Sequence, residues 1–241
     1  MTDIVFRRRR LPHQDVDGHP IFITACLAGS LSAVGISAIR QFRAELDLRP
    51  VPDGMESGEW EMLKHKLLFS FVDDLLDHNS LVRHLKDDAQ AKIVRDAFLH
   101  FADERYSLLT FVVMPSHHHW LFLPDEAWSI RAVQKARAKT GKSKTPREII
   151  SHSIQSYTAT MCNRVRGAEG SYWQIETFDH WARDEAETCR IIHYIEMNPV
   201  QAGLAESPEQ YQWSSASLRK ELGLKRYDAI PKPQPPADPA A

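Results

Sequence analysis

The run Val112-Val113-Met114-Pro115-Ser116-His117-His118-His119-Trp120-Leu121-Phe122 leaves the chain little conformational choice. Apolar residues on both sides of a Pro-Ser pair predict a strand, a tight turn and a second strand, with the histidines opening the second. Successive side chains on a strand point to opposite faces, so His117 and His119 share one face and His118 takes the other. Two imidazoles two residues apart on one face can both ligate one divalent metal. The apolar neighbours would bury such a pair beside a sheet.

A second motif follows about seventy-five residues later, Tyr194-Ile195-Glu196-Met197-Asn198-Pro199. It closes a stretch that reads as a helix over 185–198. Asp184 and Glu185 stand at its start, Ile191, Ile192 and Ile195 follow helical spacing, and Pro199 is expected just beyond its end. Tyr194 and Asn198 are four apart and therefore share a face. A phenol can attack phosphorus, and an amide oxygen can serve as a third metal ligand. The bland readings stand beside these: a helix-face aromatic for Tyr194, and a helix cap before Pro199 for Asn198. Glu196 is expected on a solvated side. Tyr157 and Tyr172 lack an amide four residues on and a proline exit.

Together these motifs resemble the single-tyrosine HUH transposases, and most closely the REP-associated tyrosine transposases. The blocks that carry the resemblance occur in order along most of the chain. They are Arg9-Arg10-Leu11-Pro12-His13 with Ile21-Phe22-Ile23-Thr24, the stretch 81–97 with Phe101-Ala102-Asp103-Glu104-Arg105-Tyr106, and the histidine motif. Tyr172-Trp173-Gln174 with Phe178-Asp179-His180-Trp181-Ala182-Arg183-Asp184-Glu185 comes next, then the tyrosine helix with Val200-Gln201-Ala202-Gly203-Leu204, and last Trp213-Ser214-Ser215-Ala216. Three positions depart from the family pattern: His118 stands where an apolar residue is usual, Ser116 where Asn is common, and Gln155 near the place of a Lys.

The resemblance implies an HUH single-tyrosine nuclease fold: α+β, with a ferredoxin-like or RRM-like central antiparallel sheet and flanking helices, the tyrosine helix beside the histidine strand. It implies a metal-dependent single-stranded DNA endonuclease and strand transferase acting on hairpin-forming palindromic repeats. Tyr194 would form a 5′-phosphotyrosine link, and His117, His119 and Asn198 would hold Mg²⁺ or Mn²⁺. His118 would face the core. His180 and His193 are candidates for groups behind the metal ligands or for DNA contacts.

Composition limits the DNA-binding surface. Thirty Lys and Arg against 32 Asp and Glu give a formal charge of −2, low for a nucleic-acid binder. Charge is segregated, however. Arg7, Arg8, Arg9 and Arg10 form one basic block, and Arg131, Lys135, Arg137, Lys139, Lys142, Lys144 and Arg147 another without an acid among them. Acids gather elsewhere, as at Asp73-Asp74 and Asp87-Asp88. The basic blocks and Arg183 are candidates for phosphate contacts. Trp173 is a candidate to stack on unpaired bases, as are Phe178 and Trp181, with core packing the alternative for them. Cys26, Cys162 and Cys189 form no CxxC and no even set, which fits a reducing cytoplasm and, for a DNA enzyme, the nucleoid. No stretch approaches the roughly 20 apolar residues of a membrane span.

The 241 residues organise as a basic, irregular arm over 1–20, one domain over 21–220 and a Pro/Ala-rich disordered tail over 221–241. Within the domain, strands are expected over 21–27, 106–113, 117–123 and 177–182. Helices are expected over 30–46, 60–76, 89–101 and 149–166, the last ended by Gly167 and Gly170, with a surface insertion over 124–148. The resemblance implies single-stranded or hairpin DNA as the partner and a monomer needing no protein partner, with a dimer as the alternative. Two other readings remain open. One is a domesticated DNA-binding protein of the same fold without cleavage. The other is a hydrolase that uses the three histidines, a further ligand and a metal-bound water.

Overall fold

In the computed structural model the chain is described over residues 4–8, 12–16, 18–175 and 177–233, with the backbone alone for the first two segments. Four strands form the central antiparallel sheet: β3 (Ile21–Cys26), β4 (Tyr106–Val113), β5 (His117–Pro124) and β6 (Phe178–Trp181), in spatial order β4-β5-β3-β6. Two crossovers carry the helices. Between β3 and β4 lie α1 (Ala33–Leu48), α2 (Ser57–Asn79) and α3 (Asp88–His100); between β5 and β6 lie α4 (Glu126–Thr140) and α5 (Pro146–Arg166). That order, with all pairs antiparallel, is the ferredoxin-like split βαβ arrangement, so the protein is α+β as expected. Two further helices complete the fold, α6 (Glu185–Gln201) and α7 (Ser215–Leu222).

Local sequence explains the element ends. Glu56 and Glu59 form a capping box at the start of α2, and Thr145 and Glu148 form another at α5, where Pro146 takes the first helical position. Gly167, at φ 60°, ends α5 in the left-handed conformation that glycine adopts without steric cost. Asp184 accepts the Glu187 N–H at 2.7 Å and starts α6.

The sheet separates two apolar layers. Ile21, Ile23, Ala25, Trp120 and Phe122 face α3 and α5, where they pack with Phe98, Ile150 and Ile154. Phe22, Val112 and Leu121 face the other way and pack with Ile192 and Ile195 of α6. Beside them Cys26 packs with Val72 and Leu76 of α2 and Ile39 of α1. The site lies in this second layer, between the sheet, α2 and α6.

Three expectations change, while the 124–148 segment stays at the surface. The 1–20 arm is not irregular: β1 (Ile4–Arg8) and β2 (Pro12–Val16) pair as an antiparallel hairpin, while Arg9 and Arg10 lie outside the described residues. The 124–148 insertion is mostly the helix α4, which buries none of its residues. The chain past 221 keeps packing. Ile230 is fully buried, and its N–H reaches Leu108 O at 2.7 Å. Residues 234–241 lie outside the described residues. Finally, α6 does not stop before Pro199. It continues to Gln201, because a proline near the end of a helix removes one N–H while the N–H groups of Ala202 and Leu204 still reach Asn198 O and Pro199 O.

Candidate active site

His117 and His119 open β5 and point, as the alternation requires, to the α6 side; both are fully buried. Register places His119 between Thr24 on β3 and Val112 on β4. His119 Nδ1 pairs with Thr24 Oγ1 at 2.7 Å. Ser116 Oγ donates to Leu76 O at 3.1 Å, so toward His117 Nδ1, 3.0 Å away, it can only accept. Each imidazole is thereby held through Nδ1, with its Nε2 turned into the site, the orientation metal-ligating histidines use. The two Nε2 atoms lie 3.0 Å apart. That is the separation of neighbouring ligands around an octahedral ion with bonds of about 2.1 Å.

A residue outside both motifs completes the cluster. Asp73, from α2, is 6% exposed, and its Oδ2 lies 3.4 Å from His119 Nε2. One ligand atom from each of Asp73, His117 and His119 lies within 4.8 Å of the other two, so this buried group could hold a metal ion. Tyr194 and Asn198 share the α6 face as expected, and both turn to the same carboxylate. The Tyr194 phenol donates to Asp73 Oδ2, and Asn198 Nδ2 donates to it at 3.4 Å. Asn198 is not the helix cap its bland reading made it, because α6 runs past it.

Two buried oxygens are left without a hydrogen-bond partner, Asp73 Oδ1 and Asn198 Oδ1. Buried oxygens without partners are costly, and a cation is the partner that an orphaned carboxylate and amide oxygen both suit. Two imidazole nitrogens, the Asp73 carboxylate and the Asn198 amide oxygen make a mixed nitrogen and oxygen donor set that fits a divalent ion.

Electrostatics reinforces the picture. Burial, and then the His119 charge, press His117 down to about 3, so it is neutral with a free lone pair near neutrality. Burial works to raise Asp73, but His119, His117 and the Tyr194 phenol outweigh it and hold Asp73 below its ordinary value. Burial, and then the Asp73 charge, push the Tyr194 phenol well above its ordinary value. The metal-free site therefore holds a carboxylate and a protonated phenol.

The remaining sequence candidates fall elsewhere. His118 lies in the opposite layer, its ring centroid 5.1 Å from Phe98 and 4.9 Å from Trp173. The reading with three histidines on one ion is thereby overturned. Trp173 is 7% exposed, its Nε1 donates to Thr158 Oγ1 at 2.9 Å, and its ring is edged by His118 and Tyr172. It has no free face for a base, so its stacking role drops out. Tyr172 is buried with its hydroxyl on Gln90 Oε1, and Tyr157 is exposed. His180 pairs with Glu187 at 2.9 Å, and exposed His193 meets Arg226; neither touches the cluster. Glu196 is not solvated: it is 3% exposed and bonded to Arg219 of α7.

Among the basic candidates, Arg131, Lys135, Arg137, Lys139 and Lys142 are exposed, whereas Arg147 is buried 3.7 Å from Asp179. Arg183 is half-buried, its guanidinium 6.0 Å from the Trp181 ring centre. Arg7 and Arg8 lie on β1, where only the backbone is described. A cavity of about 110 Å³ opens between α1, α2 and β6, lined by Arg43, His65, Phe69 and Phe178 among others. It holds none of the cluster. No helix among the described residues is long and apolar enough to cross a membrane.

No family model matches the chain, and no curated protein matches it. Among solved structures it is similar to that of a REP-associated tyrosine transposase bound to a REP hairpin, with 15% sequence identity, a TM-score of 0.46 and 93% of each chain covered.

Proposed function

We propose that the protein is a metal-dependent single-stranded DNA endonuclease and strand transferase that acts on hairpin-forming palindromic repeats through a covalent Tyr194 intermediate. One observation carries the reading. The Tyr194 phenol, the Nε2 atoms of His117 and His119, and the Asn198 amide converge on the buried carboxylate of Asp73. A packing tyrosine needs no such company, and the 3.0 Å between the two imidazole Nε2 atoms is a spacing that one octahedral ion can bridge.

In this reading Tyr194 Oη attacks a backbone phosphorus and the bond to the 3′-oxygen breaks. The phenol proton is lost and the departing oxygen gains one, leaving a 5′-phosphotyrosine and a free 3′-hydroxyl. The phosphodiester energy is kept in the new link, so the step reverses for strand transfer without a nucleotide cofactor. His117, His119, Asn198 and Asp73 would hold Mg²⁺ or Mn²⁺, which supplies positive charge to polarise a phosphate oxygen and stabilise the departing 3′-oxygen. Ser116 and Thr24 fix the imidazole orientations. Phe22 packs edge-on to the Tyr194 ring, with centroids 6.1 Å apart, and limits where the phenol can point. The exposed cations of α4, with Arg183 and the β1 arginines, are the proposed phosphate contacts.

Asp73 also favours a second reading. Two histidines and a carboxylate could serve a hydrolase in which a metal-bound water attacks and Tyr194 is dispensable. The domesticated DNA-binding protein is the third. Incubating the protein with labelled single-stranded hairpin oligonucleotides and Mn²⁺ or Mg²⁺ separates the three. Cleavage with one strand end retained on protein, lost in Tyr194→Phe, is the expected result. Cleavage that survives Tyr194→Phe selects the hydrolase, and tight binding without cleavage selects the silent binder.

A further inference from the structure

Asp73 Oδ2 is the most contested atom in the site. It is the carboxylate oxygen 3.4 Å from His119 Nε2, so it is the oxygen of Asp73 placed for an ion between the histidines. The same atom accepts the Tyr194 phenol and the Asn198 amide N–H. The other oxygen, Oδ1, is buried and has no partner. A neutral phenol and a divalent cation thus compete for one oxygen, and against a carboxylate the cation is the stronger partner.

We infer that Asp73 is a positioning residue that couples cation binding to the nucleophile: its Oδ2 holds the Tyr194 phenol when the site is empty and the cation when it is loaded. Loading the site then releases the phenol. The surroundings suit the exchange. Tyr194 is half-buried and packs edge-on against Phe22 and His119, so the ring can leave the carboxylate without breaking the core. Asn198, whose Nδ2 turns to Asp73 while its Oδ1 lacks a partner, gains a partner for that oxygen at the same moment. Without the cation, the nucleophile stays bound to a negative charge, which guards against attack before the site is complete. This rests on the nuclease reading only in calling Tyr194 the nucleophile.

The test is a calorimetric titration of the metal-free, full-length protein with Mn²⁺, without DNA, for wild type, Tyr194→Phe and Asp73→Asn. Removing the competitor is expected to tighten binding in Tyr194→Phe, roughly 10- to 100-fold, the worth of one hydrogen bond to a charged group. Asp73→Asn is expected to weaken it at least about 10-fold. In parallel, the fluorine resonance of fluorotyrosine-labelled protein that disappears in Tyr194→Phe should shift on saturation with Mg²⁺. Equal or weaker binding in Tyr194→Phe, or a resonance that stays in place, would overturn the exchange. The Tyr194→Phe arm decides the matter alone if Asp73→Asn does not fold. Because no cleavage is measured, failure here leaves the nuclease reading standing, and absence of cleavage leaves these affinities unexplained by anything but the exchange.

Discussion

The phenol of Tyr194 on α6 donates to the carboxylate of Asp73 on α2, joining residues 121 positions apart in the chain. That contact ties the tyrosine helix to the histidine strand, because the same carboxylate also faces His119. It makes the site a product of three elements, β5, α6 and α2.

Ser116 stands where its single hydroxyl links Leu76 O of α2 to His117 Nδ1. Ser116→Ala removes the acceptor that fixes His117, so Mn²⁺ affinity should fall about 10- to 100-fold while the fold is kept. Calorimetry reads the affinity and circular dichroism the fold; an unchanged affinity would show that Ser116 has no part in orienting the ligand.

His118 has both ring nitrogens buried and without hydrogen-bond partners, between Phe98 and Trp173. Replacing it with an apolar side chain removes that desolvation cost. His118→Leu should stabilise the protein by about 1–2 kcal/mol in denaturant unfolding and leave Mn²⁺ binding unchanged. Lost metal binding would place His118 in the site after all.

Much of this was legible in the chain. Alternation along β5 separates His117 and His119 from His118, and the four-residue spacing in α6 brings Tyr194 and Asn198 to one face. Asp73 was not legible as a site residue, since as one of a pair of acids it reads as surface charge. Its signal lies in its position: Phe69, Val72 and Leu76 are helix neighbours of Asp73, so it sits on the apolar face of α2, where an acid needs a partner. Thr24 depends on the register between β3 and β5, which no local pattern specifies. Glu196 misled for a related reason. The partner that buries it, Arg219, belongs to α7, a helix too short to stand out by periodicity.

Removing one member of that buried pair should be costly. Glu196→Ala leaves the buried Arg219, a residue 3% exposed, without its carboxylate. We expect a loss of about 3–5 kcal/mol in denaturant unfolding. A loss under about 1 kcal/mol would mean that the pair behaves like an exposed one.

Acid should weaken the metal-free protein through His117. Its folded value of about 3 lies below the ordinary 6.5, so between those values the unfolded chain binds the extra proton. The contribution is fully present above about pH 6.5 and fades as pH falls toward 3. Asp73, held low by His119, His117 and the phenol despite its burial, acts in the same direction below its unfolded value. The denaturant midpoint should therefore be lower at pH 5 than at pH 7.5; an equal or higher midpoint at pH 5 would contradict a buried neutral His117.

The most direct measurement is the identity of the residue that DNA joins. Full-length protein is incubated with a single-stranded hairpin oligonucleotide and Mn²⁺, trimmed with nuclease and protease, and mapped by mass spectrometry. The account requires a nucleotide mass on the peptide spanning 191–219, localised to Tyr194 and not Tyr211, and absent from Tyr194→Phe and from chelator-treated samples. Cleaved DNA with no modified peptide, or a modification that persists in Tyr194→Phe, would contradict it.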